Sequence, residues 1–349
     1  MERTSDVSEG KTVGVAIWGA GTVSEGHLRA YLRHPHAEVV AIGSRTRSGA
    51  EAKARQVGID PSTISIYDSL DELLLDSKVD AVSICTPHQM HSANAVTVAN
   101  AGKHLLVEKP IAMNREELLA MDEAVSKAGV ISVCGFVLRY NPMVETAYAL
   151  ARDGMFGELL YVQTDYWHNP EQSGYPGSED HILHMDASAM MHGGCHAVDL
   201  ARYLMGSNIV SVSAVQTSGT AGAPFPPMQS AVVEFANGRI GKISACVEQW
   251  MPYQFNVDLL GTDGGLRDNR FFSRKLVGAT DWATFPTITP NSGLVHHHPF
   301  DGEIGHFIDC ILSGTQSHAS VRDAVNTHDA VFSIDESSKS GGRRIQLSM

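Results

Sequence analysis

Over the first 135 residues, short apolar runs alternate with segments of helical periodicity, and few folds accept that order. The run Val13-Gly14-Val15-Ala16-Ile17-Trp18 reads as a buried strand. A helix over residues 25–33, a strand over 38–44 and a helix over 49–57 ended by Gly58 follow it. Next come a strand over 81–85, a helix over 91–101 stopped by Gly102, and a strand over 104–108. Asn114 and Glu117 open a further helix as a capping-box-like pair, and residues 131–135 form another strand. Strands separated by helices imply right-handed crossovers and a parallel sheet.

After Phe136 the rhythm changes. Residues 141–153 read as a helix ended by Gly154, and long strands follow at 158–167, 210–216, 229–235 and 239–247. Asn237-Gly238 marks a hairpin, since that dipeptide tolerates two positive φ angles. The region is expected to form an open, mostly antiparallel sheet, one face of which a partner subunit would cover. Helical patterns at 301–313 and 321–338 close the chain. At 349 residues two domains are expected, 1–135 and 136–349, with the last helix packing back on the first. The fold class is α/β, a doubly wound parallel sheet followed by an α/β domain with a large open sheet.

Composition narrows the function. A formal net charge of −13 argues against nucleic acid or an anionic membrane as the main partner. The five cysteines show no CxxC spacing, which fits a reduced cytoplasm better than a disulfide framework. Residues 1–11 are polar, so no signal peptide is indicated, and no apolar stretch approaches the ~20 residues of a membrane helix.

Gly19-Ala20-Gly21-Thr22-Val23-Ser24 is a GxGxxG variant with serine in the third place. Two glycines suit a tight turn and close phosphate approach, and Ser24 is small enough for helix–strand packing. Lying between strand and helix, the loop is expected to hold a dinucleotide pyrophosphate. The second strand ends in Gly43-Ser44-Arg45-Thr46-Arg47, with no acid where NAD sites place one for the ribose. A guanidinium beside hydroxyls suits a 2′-phosphate, which favours NADP over NAD. The other reading leaves Arg45 and Arg47 solvated, or Arg45 stacked on adenine. Thr86-Pro87 stops a buried strand at the same edge, and His91 is either a helix-start residue or a contact on the nicotinamide side. Glu108-Lys109-Pro110 closes the run Leu105-Leu106-Val107, placing a lysine where open α/β sheets bind ligands.

A second constellation runs from Met191-His192-Gly193-Gly194-Cys195 to His196 and Asp199, which share a helix face. Alcohol oxidation needs a group that takes the hydroxyl proton while hydride leaves the same carbon, and histidine or lysine serves. A structural histidine is the competing reading.

Together these motifs resemble the Gfo/Idh/MocA family, named for glucose-fructose oxidoreductase and inositol dehydrogenase. The resemblance is carried by Gly19-Ala20-Gly21, Thr86-Pro87 with His91, Glu108-Lys109-Pro110, Arg139-Tyr140-Asn141-Pro142, the segment from Gly193 to Asp199, and Glu303-Ile304-Gly305-His306-Phe307-Ile308-Asp309. It covers essentially the whole chain. It implies a Rossmann domain, an open-sheet domain that assembles homodimers or homotetramers, and NAD(P)-dependent dehydrogenase or reductase chemistry on CH–OH groups of sugars, cyclitols or related polyols. Glu108, Lys109 and Arg139 would join the loop residues at the cofactor. Lys109 would handle substrate and proton, His196 would do acid/base work, Asp199 would orient the substrate or His196, and Pro110 would follow a cis peptide. One position departs from the pattern. Many family members carry an aspartate four residues before the histidine, where this chain has His192, expected to touch substrate.

Trp167, with Tyr166, His168, Asn169, Pro170, Tyr175, His181, His184 and Asp186, is expected to form a loop roofing the cleft, aromatic faces suiting sugar C–H faces. No metal is expected, because hydride transfer to nicotinamide needs none, and His296-His297-His298 reads as surface or cleft rim. Two further classes stay open: an enzyme that retains its nicotinamide for lyase or glycosidase chemistry, and a non-enzymatic nucleotide-sensing regulator.

Overall fold

The computed structural model describes residues 10–169, 187–218, 225–287 and 298–348. By chain contacts it comprises two compact units, Met1–Phe136 with Phe300–Val325, and Val137–Pro299 with Asn326–Met349.

The first unit is built on strands β1 (Val13–Trp18), β2 (Ala37–Gly43), β3 (Ser65–Tyr67), β4 (Ala81–Ile84), β5 (His104–Val107) and β6 (Ser132–Cys134). They are parallel and ordered β3-β2-β1-β4-β5-β6. The order reverses between β1 and β4, so the loops leaving these strands diverge and open a crevice at their carboxyl ends. Helices α1 (Val23–Arg33), α2 (Arg47–Gln56), α3 (Leu70–Leu74), α4 (His91–Asn100) and α5 (Arg115–Ala128) connect the strands. All six residues of β1 are buried, as a strand covered on both faces requires. Asn114 caps α5 through Glu117 N–H at 2.9 Å, and the Glu117 carboxylate accepts from the Met113 N–H at 2.9 Å. The expected box therefore forms one residue wider. β3 and α3, absent from the sequence reading, are too short to leave a periodic signal.

The second unit holds α6 (Pro142–Arg152), β7 (Leu159–Trp167), α7 (Cys195–Met205), β8 (Ile209–Gln216), β9 (Met228–Phe235), β10 (Ile240–Cys246), β11 (Gln254–Gly261), β12 (Gly264–Arg267), β13 (Arg270–Ser273), β14 (Ala283–Thr284) and β15 (Ile345–Gln346). These nine strands form one sheet, ordered β14-β13-β12-β11-β7-β10-β9-β8-β15. Every pair is antiparallel except β7 with β10, because the chain between them crosses over through α7, β8 and β9. The β9–β10 hairpin forms at Asn237-Gly238, but only Gly238 takes a positive φ, 78°. One face of the sheet is covered by α7, whose residues are nearly all buried. The other face exposes Val215, Val232, Ile240 and Leu260 among polar neighbours.

Two helices follow, α8 (Phe300–Ser313) and α9 (Val321–Lys339), and the division between the units falls within α9. Ile304, Phe307 and Ile308 of α8 join Leu28, Tyr31 and Ile17 in the core of the first unit. Each such burial contributes about 1.5–3 kcal/mol. All five cysteines are free thiols. None of the described helices is long and apolar enough to cross a membrane.

Candidate functional site

In the first unit the glycine turn leaves β1 with Gly19 at φ 110°, a conformation that side-chain-bearing residues rarely adopt. A Cβ there would lie 2.5 Å from the Cys85 carbonyl, so β1 and β4 can approach this closely only through glycine. Ser24 is fully buried, and its hydroxyl donates to the Gly21 carbonyl at 2.7 Å, tightening the turn as well as filling the third glycine's place. Thr22 precedes α1 without a side-chain cap, and Val23 begins the helix. An uncapped N-terminus above a glycine cradle offers its amides and dipole to an anion, and these residues fit a dinucleotide pyrophosphate.

At the end of β2, Ser44 donates its amide to Tyr67, Thr46 caps α2 through Gly49 N–H, and Arg47 lies 4.0 Å from Glu51. Arg45 is exposed and lies outside these interactions. His91 is buried with both ring nitrogens on carbonyl oxygens, Nδ1 2.8 Å from Pro110 and Nε2 2.7 Å from Thr86. Burial holds its pKa below the ordinary value despite those two acceptors. A neutral ring donates to one of these two carbonyls, so His91 packs between the Thr86-Pro87 and Lys109-Pro110 loops, and Asn94 donates to Thr86 Oγ1 at 3.0 Å.

Lys109 stands half-buried just past β5, and the Lys109–Pro110 peptide is cis. Its backbone N–H donates to Glu108 Oε2 at 3.2 Å, while Glu108 Oε1 lies 3.0 Å from His27 Nε2. Burial acts to raise the Glu108 pKa, but the His27 bond and charge, with Lys109 and His91, bring it below the usual carboxylate range. Burial likewise opposes a charged His27, yet Cys85 and Glu108 outweigh it and raise the ring's pKa.

In the second unit, a π-helical turn over Met190–Gly194 leads into α7. A Cβ on Gly193 would fall 2.0 Å from the Tyr166 ring, and one on Gly194 2.6 Å from the Ala245 methyl, so this glycine pair brings the turn onto β7 and β10. His196 is 1% exposed, and its ring stacks on Tyr166 with centroids 5.9 Å apart. Tyr166 OH lies 3.1 Å from His168 Nδ1, and Tyr253 and His298 complete an aromatic and imidazole cluster around His196. His192 is half-buried on the turn.

Asp199 accepts a fork from Arg139, Nε at 2.7 Å and Nη2 at 2.5 Å, both residues being buried. Arg139 also lies over the Tyr203 ring, 4.8 Å from its centroid. The structure thus places Arg139, expected at the cofactor, against Asp199 within the second unit. Trp167 is also placed otherwise than expected. Successive strand residues face opposite sides, so Tyr166 points to α7 while Trp167 points away, its Nε1 donating to Ser244 at 3.1 Å. Sequence reasoning passed over Tyr253 and gave Tyr166 no weight above its neighbours; the alternation of β7, which puts Val162, Thr164 and Tyr166 on one face, was the available signal. Of the expected roof, Pro170, Tyr175, His181, His184 and Asp186 lie outside the described residues, as do His296 and His297. A cavity of about 360 Å³ between the ends of α6 and α7 and the β9–β10 hairpin contains none of these residues.

Comparison with known proteins decides the family. Residues 13–136 match the oxidoreductase family with an NAD-binding Rossmann fold, and residues 144–267 match the GFO/IDH/MocA C-terminal domain. The chain belongs to this family. Gfo/Idh/MocA relatives include the scyllo-inositol 2-dehydrogenase (NAD(+)) of Bacillus subtilis (strain 168), 27% identical over 86% of this chain and 86% of that protein. Another is the D-xylose 1-dehydrogenase (NADP(+)) 2 of Haloferax volcanii, 26% identical over 87% of this chain and 90% of the relative. Among solved structures, levoglucosan dehydrogenase in complex with NADH and levoglucosan superposes with a TM-score of 0.85 at 22% identity, covering 97% of this chain and 99% of that one. The Gfo/Idh/MocA fold thus runs through the chain, and with it an oxidoreductase identity.

Proposed function

We propose that the chain is an NAD(P)-dependent dehydrogenase that moves hydride between nicotinamide and a hydroxyl or keto carbon of a sugar, cyclitol or related polyol. The observation that carries this reading is Lys109, held at the carboxyl end of β5 with its amide fixed by Glu108. The names of the relatives, dehydrogenases of scyllo-inositol, D-xylose and levoglucosan, support the substrate class. The bound dinucleotide supplies the hydride acceptor. Lys109 and His196 handle the hydroxyl proton, so that loss of hydride and proton from one carbinol leaves a carbonyl. Asp199, forked by Arg139, positions α7 and with it His196, while His192 and Tyr166 serve substrate contact. Gly19 to Val23 receive the pyrophosphate, and Ser44 with Arg45 reads the ribose, favouring NADP. The open face of the second sheet is proposed to pair copies into homodimers or homotetramers.

Absorbance assays at the nicotinamide band with cyclitols, aldoses and anhydrosugars test the reading. Lys109→Met is expected to lower kcat by about 10²–10⁴-fold, the range of general acid–base catalysis, with cofactor Kd changed by less than about threefold. Full turnover in that variant would sink the assignment.

A further inference from the structure

Behind the Lys109 loop lies a cluster whose third member plays no part in the reading above. His27, Glu108 and Glu303 are all buried, and one donor atom from each falls within 4.8 Å of the others. His27 comes from α1, Glu108 from the end of β5, and Glu303 from the first turn of α8. The first two are tied into a chain of hydrogen bonds. Tyr31 OH meets Ser83 Oγ at 2.7 Å, Ser83 lies 3.4 Å from His27 Nδ1, His27 Nε2 meets Glu108, and Glu108 holds the Lys109 amide. Phe300 closes one side, its ring 5.3 Å from that of His27. Glu303 is 0% exposed, and neither of its carboxyl oxygens has a hydrogen-bond partner among the described residues.

An ionised carboxylate in that position would sit desolvated beside a second carboxylate, a costly arrangement with one cation between them. A protonated one removes the repulsion. We infer that Glu303 is a positioning residue for the Lys109 loop: it holds a proton beside Glu108, so that Glu108 keeps one oxygen on His27 and the other on the Lys109 amide. Burial, then the Glu108 charge, raise the Glu303 pKa from 4.5 to about 8, against the opposing pull of His27. The groups acting on it are Glu108 after β5 and His27 and Tyr31 on α1, while Cys85 after β4 acts on His27 and Lys109 on Glu108. Because the folded value lies above the unfolded one, protonation favours the fold. That contribution is whole below about 4.5 and is lost as pH rises through about 8. Above that point Glu303 repels Glu108, and the Lys109 amide loses its anchor.

The inference rests on the reading of Lys109 as proton handler, and the experiments separate the two. Infrared difference spectra of the full chain between about pH 6 and about pH 10 need no turnover. The wild type is expected to lose a buried carboxylic-acid C=O band that Glu303→Gln lacks. In pH profiles, the wild-type kcat falls as pH rises past about 8 with KM nearly constant, and Glu303→Gln moves that fall upward by about one unit or more. Glu303→Met, unable to ionise, is a second variant expected to show the same shift. An unchanged alkaline limb in both variants, the band persisting in Glu303→Gln, or a divalent metal retained at one per chain on these three side chains overturns the inference. A Glu303 band present as expected together with undiminished turnover in Lys109→Met overturns the Lys109 reading, and the catalytic half of this inference with it.

Discussion

Arg45 stands exposed at the end of β2 with Ser44 beside it, and no carboxylate follows the strand there. Its guanidinium suits a phosphate more than a ribose hydroxyl, since a charge-assisted fork is stronger than a neutral bond. A hydrogen bond to a charged group contributes about 1.5–3 kcal/mol, so Arg45→Ala should weaken NADPH binding by about 10–100-fold and NADH by less than about threefold. Fluorescence titration of both cofactors checks this. Tighter NADH binding by the wild type, with the ratio unmoved in Arg45→Ala, would reject the NADP preference. Arg139 shows why such assignments are harder elsewhere. The family resemblance implied a cofactor contact for it; its fork to Asp199, 60 positions away, depends on packing that no local pattern reveals.

At the scale of elements, the π-turn and α7 seat His196 against β7. Gly193 makes that seating possible, because a methyl group there would lie 2.0 Å from the Tyr166 ring. Gly193→Ala should cost about 1–3 kcal/mol, typical of overpacking, and Tyr166→Leu should recover part of it. Urea unfolding of the single and double variants measures the coupling; additive losses would mean that the two residues do not meet. The strand–helix alternation of the first unit was readable because buried parallel strands are uniformly apolar and the helices between them end at glycines such as Gly58, Gly102 and Gly129. β12 to β14 were not, since they run four residues or fewer, whereas β11, with Phe255, Val257 and Leu259 buried in alternation, carried a period-2 signal that was passed over. The helix bearing His196 was legible from Cys195 onward, while the π-turn before it has no sequence period of its own. Trp167 was expected over the cleft because aromatic faces suit sugar C–H faces, yet the parity of β7 decides which aromatic residue faces α7.

For the whole molecule, the glycine cradle at Gly19, the loop carrying Lys109 and the helix carrying His196 belong to a chain matched along both of its parts by one oxidoreductase family. The central claim is that it takes up nicotinamide dinucleotide, releases it, and works as an exchanging dehydrogenase. Native mass spectrometry of freshly purified protein, with an absorbance scan near about 340 nm for reduced nicotinamide, tests this most directly. The account predicts a homodimer or homotetramer that is empty after dialysis and takes up one NADP(H) or NAD(H) per subunit reversibly. Nicotinamide retained stoichiometrically through dialysis, or no uptake at all, would contradict it.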